Sequence, residues 1–287
     1  MSTYLIWSAV FLLAPAAASP LLIRWAFRAP RMEEISSPQA FGLAYETVSI
    51  PTGNGKHLFA WYIPPPAGRP APAIAVLHGW GGNAEMLLPF APFLHQSGHG
   101  LLFMDARNHG QSDDDDFSSL VKFAEDLERS LDWLERRPEV APGRIGVLGH
   151  SVGAAAALLV ASRRRLRAVV SIAAFAHPKT TMRRIMARHH VPYWPVGWWV
   201  LRYVEKRIGA AFDHIAPCLT IRRVACPVLL IHGDQDRHVP LSDAHRIYRN
   251  RRSNAVRLWV VPDTGHDSAD QIRQHGGEVA AFFQEML

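Results

Sequence analysis

Six apolar runs of strand length recur along this chain: "AIAVLHG", "GLLFMD", "RIGVLGHS", "LRAVVSIAA", "PVLLIHG" and "VRLWVVP". Each is a continuous run, without the polar alternation of a strand that has one wet face, so each reads as a strand covered on both sides. Helical segments separate them. Residues 117–136 carry Leu120, Phe123, Leu127, Leu131 and Leu134 on one face, and further helices are expected over 84–96, 152–162, 242–250 and 268–286. Strands alternating with helices leave few solutions other than an α/β fold with a mostly parallel, doubly wound sheet. At 287 residues, 48% of them hydrophobic, the chain can bury the core that such a fold needs.

Two stretches depart from the alternation. "YETVSI" and "HLFAWYI", joined by "PTGNGK", read as an opening hairpin. Residues 177–223 lie between two strands, look helical and contain no strand of their own. They are too long for a simple crossover and are expected to be a helical lid inserted over the sheet. The insertion carries a dense aromatic group, Tyr193, Trp194, Trp198, Trp199 and Tyr203. Packing onto the core, an acyl-chain pocket and contact with a membrane interface all suit it.

The amino-terminal stretch Tyr4 to Ile23 holds no charged residue, and Arg24, Arg28 and Arg31 follow it. Its length matches a bilayer crossing. Without a basic region before it, it reads as an uncleaved single-pass anchor, with a cleaved signal and a buried helix as alternatives. The arginines on its carboxyl flank place the remaining domain on the cytoplasmic side. The expected organisation is an anchor over 1–28, a linker over 29–43 and one catalytic domain over 44–287. Cys218 and Cys226 provide no disulfide framework and read as reduced thiols. The formal charge of +6 comes from scattered arginines. That pattern suits a solvated or lipid-facing surface and contains no nucleic-acid module.

The chemistry gathers where strands end. In "GHSVG", Ser151 stands between Gly149 and Gly153 at a strand-to-helix turn, with alanines after it. Such a turn projects a hydroxyl outward at a helix N-terminus. A serine hydroxyl also needs a base, and the base needs an orienting acid. "IHGDQDRHVP" offers Asp234 and Asp236, and "VVPDTGHDS" offers His266, giving the chain order Ser, Asp, His. Of the 15 histidines, His78, His109 and His150 are expected to order loops, while His232 and His238 flank the acid. The run Asp113 to Asp116 reads as stabilising the start of the following helix. No zinc spacing or phosphate-binding glycine loop is present, so no cofactor or metal is expected.

From about Ala44 onward the motifs "HGWGGN", "DARNHGQSD", "GHSVG" and "HGDQDRHVP" with a later "GH" stand in the order of the α/β-hydrolase superfamily. The chain resembles most closely the membrane-anchored serine hydrolases of the group that includes prolyl-oligopeptidase-like and monoacylglycerol-lipase-like enzymes. The resemblance implies Ser151 as nucleophile, His266 as general base and then acid, and Asp236 as orienting acid. It implies the backbone N–H groups of Trp80 and Val152 as an oxyanion hole. It also implies hydrolysis of a carboxylic ester in a lipid-like small molecule, with a peptide or thioester as alternatives. A membrane-tethered binding protein without turnover is the alternative of another class. Asn108 departs from the superfamily pattern by replacing glycine. Asparagine tolerates the left-handed backbone required there.

Overall fold

The computed structural model describes residues 28–66, 70–266 and 269–287, without side-chain detail for 269–274. Eight strands form one sheet in the order β1-β2-β4-β3-β5-β6-β7-β8. They are β1 (Glu46–Thr52), β2 (Lys56–Ile63), β3 (Ala71–Leu77), β4 (Gly100–Met104), β5 (Val140–His150), β6 (Ala168–Ile172), β7 (Val228–Gly233) and β8 (Val256–Val261). β1 and β2 pair antiparallel, as does β2 with β4, and all other pairs are parallel. This is the mostly parallel α/β sheet expected from the apolar runs, in the α/β-hydrolase architecture that the resemblance implies.

Within the strands, side chains alternate between two cores. Ala73, Ala75 and Leu77 of β3 join one, and Ile74 and Val76 join the other. On the first face lie α2 (Leu120–Glu135), α3 (Val152–Ala161) and Ile247 of α8 (Leu241–Arg249). The second face holds α1 (Ala91–Gln96) and α9 (Ala269–Met286). Residues Gly153 to Ala161 of α3 are all buried, which the alanines permit because they let a helix approach both sheet and α2 closely.

The chain runs from β3 to β4 on one side and then returns to β5 on the other. Beside that reversal, the carboxyl ends of β3 and β5 leave a crevice, the usual place for a ligand in an open α/β sheet.

Two expectations are corrected. Residues 84–96 form a 3-10 turn over Ala84–Phe90 followed by the short α1, because Pro89 has no N–H with which to continue a regular helix. The aspartate run does not occupy the first turn of α2; Ser119 caps that helix, accepting from Lys122 N–H at 3.2 Å. Residues of the stretch expected to be a linker bond to the domain. Arg31 donates to the carbonyls of Gly110 and Ser112 and pairs with Asp114, and Ile35 N–H donates to Glu85.

The insertion is helical throughout its regular parts: α4 (Pro178–Arg188), α5 (Trp198–Ile208), α6 (Phe212–Ile215) and α7 (Pro217–Thr220). The anchor expected over Tyr4 to Ile23 lies outside the described residues. Among the described residues no helix is long and apolar enough to cross a membrane. Cys218 and Cys226 are buried and free.

Candidate functional site

Ser151 sits at the junction of β5 and α3 with φ 53° and ψ −112°, a strained backbone for a residue with a Cβ. Packing explains the glycines around it. A Cβ on Gly149 would lie 2.4 Å from the carbonyl oxygen of Gly153, and one on Gly153 would lie 2.4 Å from those of Leu77 and His78. All these obstacles are backbone, so neither position accepts a side chain. Gly79 is tight for a related reason: its Cβ would stand 3.1 Å from Ser151 Cβ. The loop after β3, which leads into Trp80, therefore passes directly against the nucleophile. Trp80 follows Gly79 in that loop, and Val152 follows Ser151 at the start of α3.

His266 reaches Ser151 from the loop after β8. Its Nε2 lies 3.0 Å from Ser151 Oγ, and its Nδ1 lies 2.6 Å from Asp236 Oδ2. Asp236 is fixed by its other oxygen, which accepts from His238 N–H and Val239 N–H, each at 2.8 Å. Burial pushes its carboxyl up, but the bonds from His266 and Val239 N–H and the nearby imidazoles outweigh that and hold it below the usual carboxylate range. Asp236 is thus ionised and oriented, and the His266 proton is fixed on Nδ1, leaving Nε2 to accept from serine. Asp234, the other acid offered by the sequence, is exposed.

The other histidines hold backbone. His78 Nδ1–H donates to Gly79 O at 2.6 Å while its Nε2 accepts from Ala106 N–H at 3.0 Å, which ties the ends of β3 and β4 together. Burial pushes His78 down to about 3, so it stays neutral. His109 donates from Nδ1 to Arg107 O, and His232 donates from Nε2 to Val239 O. His150, next to the nucleophile, donates from Nε2 to His266 O at 2.9 Å. One residue thus couples the strand that carries the serine to the loop that carries the base. Asn108 adopts φ 68°, the left-handed conformation expected of it, and accepts Asp115 N–H at 2.6 Å.

Sequence reasoning missed the purpose of the aspartate run. Arg107, fully buried, pairs with Asp115 at 3.0 Å and Asp126 at 2.7 Å and also with Glu125. Asp115 pairs with Lys122, and Asp116 with Lys122 and with Arg207 of α5. The aspartates fold their loop around cations and fasten the insertion to it. A buried-position arginine within "DARNHGQSD" was the available signal. Arg184 pairs with Asp243, and Arg188 donates to Arg237 O in the acid loop, so α4 is held beside the site as well. Among the described residues no group of histidine, cysteine and carboxylate side chains could hold a metal ion.

An eight-stranded, mostly parallel sheet with a serine elbow and an aligned histidine and carboxylate defines the α/β-hydrolase class. The family model of the prolyl oligopeptidase family matches residues 97–287, and the chain belongs to that family and so to the serine hydrolases. It is 30% identical over 223 residues to the uncharacterized protein Rv2307c of Mycobacterium tuberculosis, covering 78% of this chain and 73% of that one. It is 27% identical over 237 residues to the uncharacterized protein YfhR of Escherichia coli K12, covering 80% and 76%. Among solved structures, the esterase Pf2001 of Pyrococcus furiosus aligns with a TM-score of 0.73 at 24% identity, covering 91% of this chain and 97% of that one.

Proposed function

We propose that the protein hydrolyses a carboxylic ester through an acyl-enzyme on Ser151. The observation that carries this reading is the continuous relay from Ser151 Oγ through His266 to Asp236, at 3.0 and 2.6 Å. As Ser151 Oγ attacks the carbonyl carbon, His266 Nε2 takes its proton, and Asp236 stabilises the imidazolium. The oxyanion is stabilised by Trp80 and Val152 N–H, the latter at the N-terminus of α3, where negative charge is favoured. His266 then protonates the leaving alkoxide. A water, deprotonated by the same nitrogen, attacks the acyl carbon, and Ser151 recovers its proton as the acid departs. Esterases among the structures of similar fold support an ester substrate. The family's name favours a peptide bond as the second reading, since the same relay can protonate an amine.

In this reading residues 177–223 form a lid, tied to the acid loop by Arg188 and to the aspartate-run loop by Arg207. Ser151 is only 9% exposed. Residues Tyr4 to Ile23 are proposed as a single-pass anchor, with the catalytic domain cytoplasmic. Carbonate extraction should leave the full chain with the membrane; release into the supernatant would overturn the anchor.

A fluorophosphonate probe tests the hydrolase reading. It should label the wild type and fail to label Ser151→Ala, whose turnover should fall by about 10⁴-fold or more. Folded wild type that takes no label would favour a binding protein without turnover. Esters of graded acyl length, aminoacyl amides and acyl thioesters assayed side by side assign the leaving group.

A further inference from the structure

The insertion carries an exposed surface that is no part of the Ser151–His266–Asp236 relay. Tyr193, Trp194, Val196, Trp198 and Trp199 are all exposed, Trp194 to 69%, and Ile185 of α4 is exposed beside them. Trp194 and Trp198 lie 5.6 Å apart between ring centroids, and Trp199 stacks on Tyr203 at 5.6 Å. Soluble domains rarely leave so many large apolar rings together in water. Tryptophan and tyrosine prefer the boundary between lipid headgroups and acyl chains.

The charge around the rings selects the partner. Residues 178–209 contain seven lysines and arginines against one acid, Glu205. Arg184, Arg202 and Arg207 are paired with Asp243, Glu205 and Asp116. Among the described residues Lys179, Arg183, Arg188 and Lys206 form no ion pair. Arg183 lies over the Tyr193 ring at 4.3 Å, which puts a cation at the rim of the aromatic group. A two-fold contact between copies of this face would set these cations against their own equivalents. Phosphate headgroups would complement them.

The position of the chain's entry agrees. Pro30 packs against Gly81, in the loop that carries Trp80, and Arg31 pairs with Asp114. Two residues further along that same loop, Asp116 pairs with Arg207 of α5. Residues 28–31, Trp80 and the insertion therefore share the carboxyl edge of the sheet.

We propose that the aromatic face of residues 193–199, with Arg183 at its rim and an excess of cations in the same segment, docks on a bilayer surface containing anionic phospholipid and so turns the Ser151 edge toward the lipid. This does not depend on residues 1–27 crossing a membrane, nor on the hydrolase reading.

A fluorophore sensitive to polarity, attached to Val196→Cys in the full chain, reports on this face alone. Cys218 and Cys226 are buried, and burial pushes both thiols up, so they stay unlabelled in the folded protein. Vesicles of equal phosphatidylcholine and phosphatidylglycerol should shift the emission to the blue and raise it several-fold. High salt, or vesicles of phosphatidylcholine alone, should remove most of the effect. In the same chain Arg183→Gln and Lys206→Gln should each weaken the lipid dependence about fivefold, and Trp194→Ser with Trp198→Ser should abolish the shift. Unchanged thermal melting of each variant confirms folding. No spectral change with the anionic vesicles overturns the proposal, as does an equal change with both vesicle types. A shift that grows with protein concentration without lipid, with doubled mass in sedimentation, assigns the face to a second copy and also overturns it.

Discussion

At the scale of single residues, the two aspartates of the "GDQD" loop separate by their surroundings and not by their chemistry. Asp236 has one oxygen filled by two backbone N–H groups and the other on His266. Asp234 is exposed, and among the described residues its one bond is from its backbone N–H to Val261 O. An amide at 236 would have to turn its NH₂ toward either the backbone donors or His266 Nδ1–H, losing an acceptor in both cases. Asp236→Asn should therefore reduce kcat/KM by about 10⁴-fold, while Asp234→Asn stays near wild type. Measuring both on one ester decides the assignment, and equal losses would move the role to Asp234. The relay itself was legible in the sequence because nucleophile, acid and base each follow a recognisable strand. The choice of Asp236 over Asp234 came from the family resemblance and not from the spacing, because it depends on which side chain turns inward after β7.

At the scale of elements, the strands were legible to within a few residues, since a strand buried on both faces has no choice but a continuous apolar run. Loops and short helices were harder. The 3-10 turn over Ala84–Phe90 follows from one proline in an otherwise helical pattern. The aspartate run looked like a helix start because its partners, Arg107, Lys122 and Arg207, come from three different places in the chain. The β5–α3 junction can be tested by its packing. Gly153→Ala places a methyl 2.4 Å from two carbonyl oxygens of the β3 end, next to the loop through Trp80 proposed to bind the oxyanion. Displacing that loop by an ångström should cost about 100-fold in kcat/KM, with a lowered Tm. Gly277→Ala in α9 is the opposite case. Among the described residues nothing lies within 4 Å of its Cβ position, so the change should stabilise the helix by up to about 1 kcal/mol. If both variants behaved alike, close packing would not be the reason for the elbow glycine.

At the scale of the whole molecule, protons link the carboxyl edge of the sheet to stability. Burial pushes His78 down to about 3, and it lowers His99, His109 and His232 also. An unfolded imidazole titrates near ~6.5. Below that value the unfolded chain binds protons that these side chains refuse while folded, so stability falls with pH. Asp105 and Asp126 work in the other direction, because burial raises both and the folded state holds their protons more tightly. Asp236, lowered, contributes stability that is lost only as pH drops below about 4. The wild-type slope is therefore a balance, and a substitution isolates one part of it. His78→Gln keeps an acceptor for Ala106 N–H and a donor for Gly79 O but cannot be protonated. It should be less stable than wild type near neutrality, since the imidazole fits its two partners better. Between about pH 7.5 and about pH 5 that deficit should shrink by ~2 kcal/mol, the cost wild type incurs by keeping His78 neutral. Urea unfolding of both proteins at the two pH values measures it. A deficit that stays constant would mean that His78 takes up its proton in the folded state, and the bond from Ala106 N–H to its Nε2 would then have to be given up.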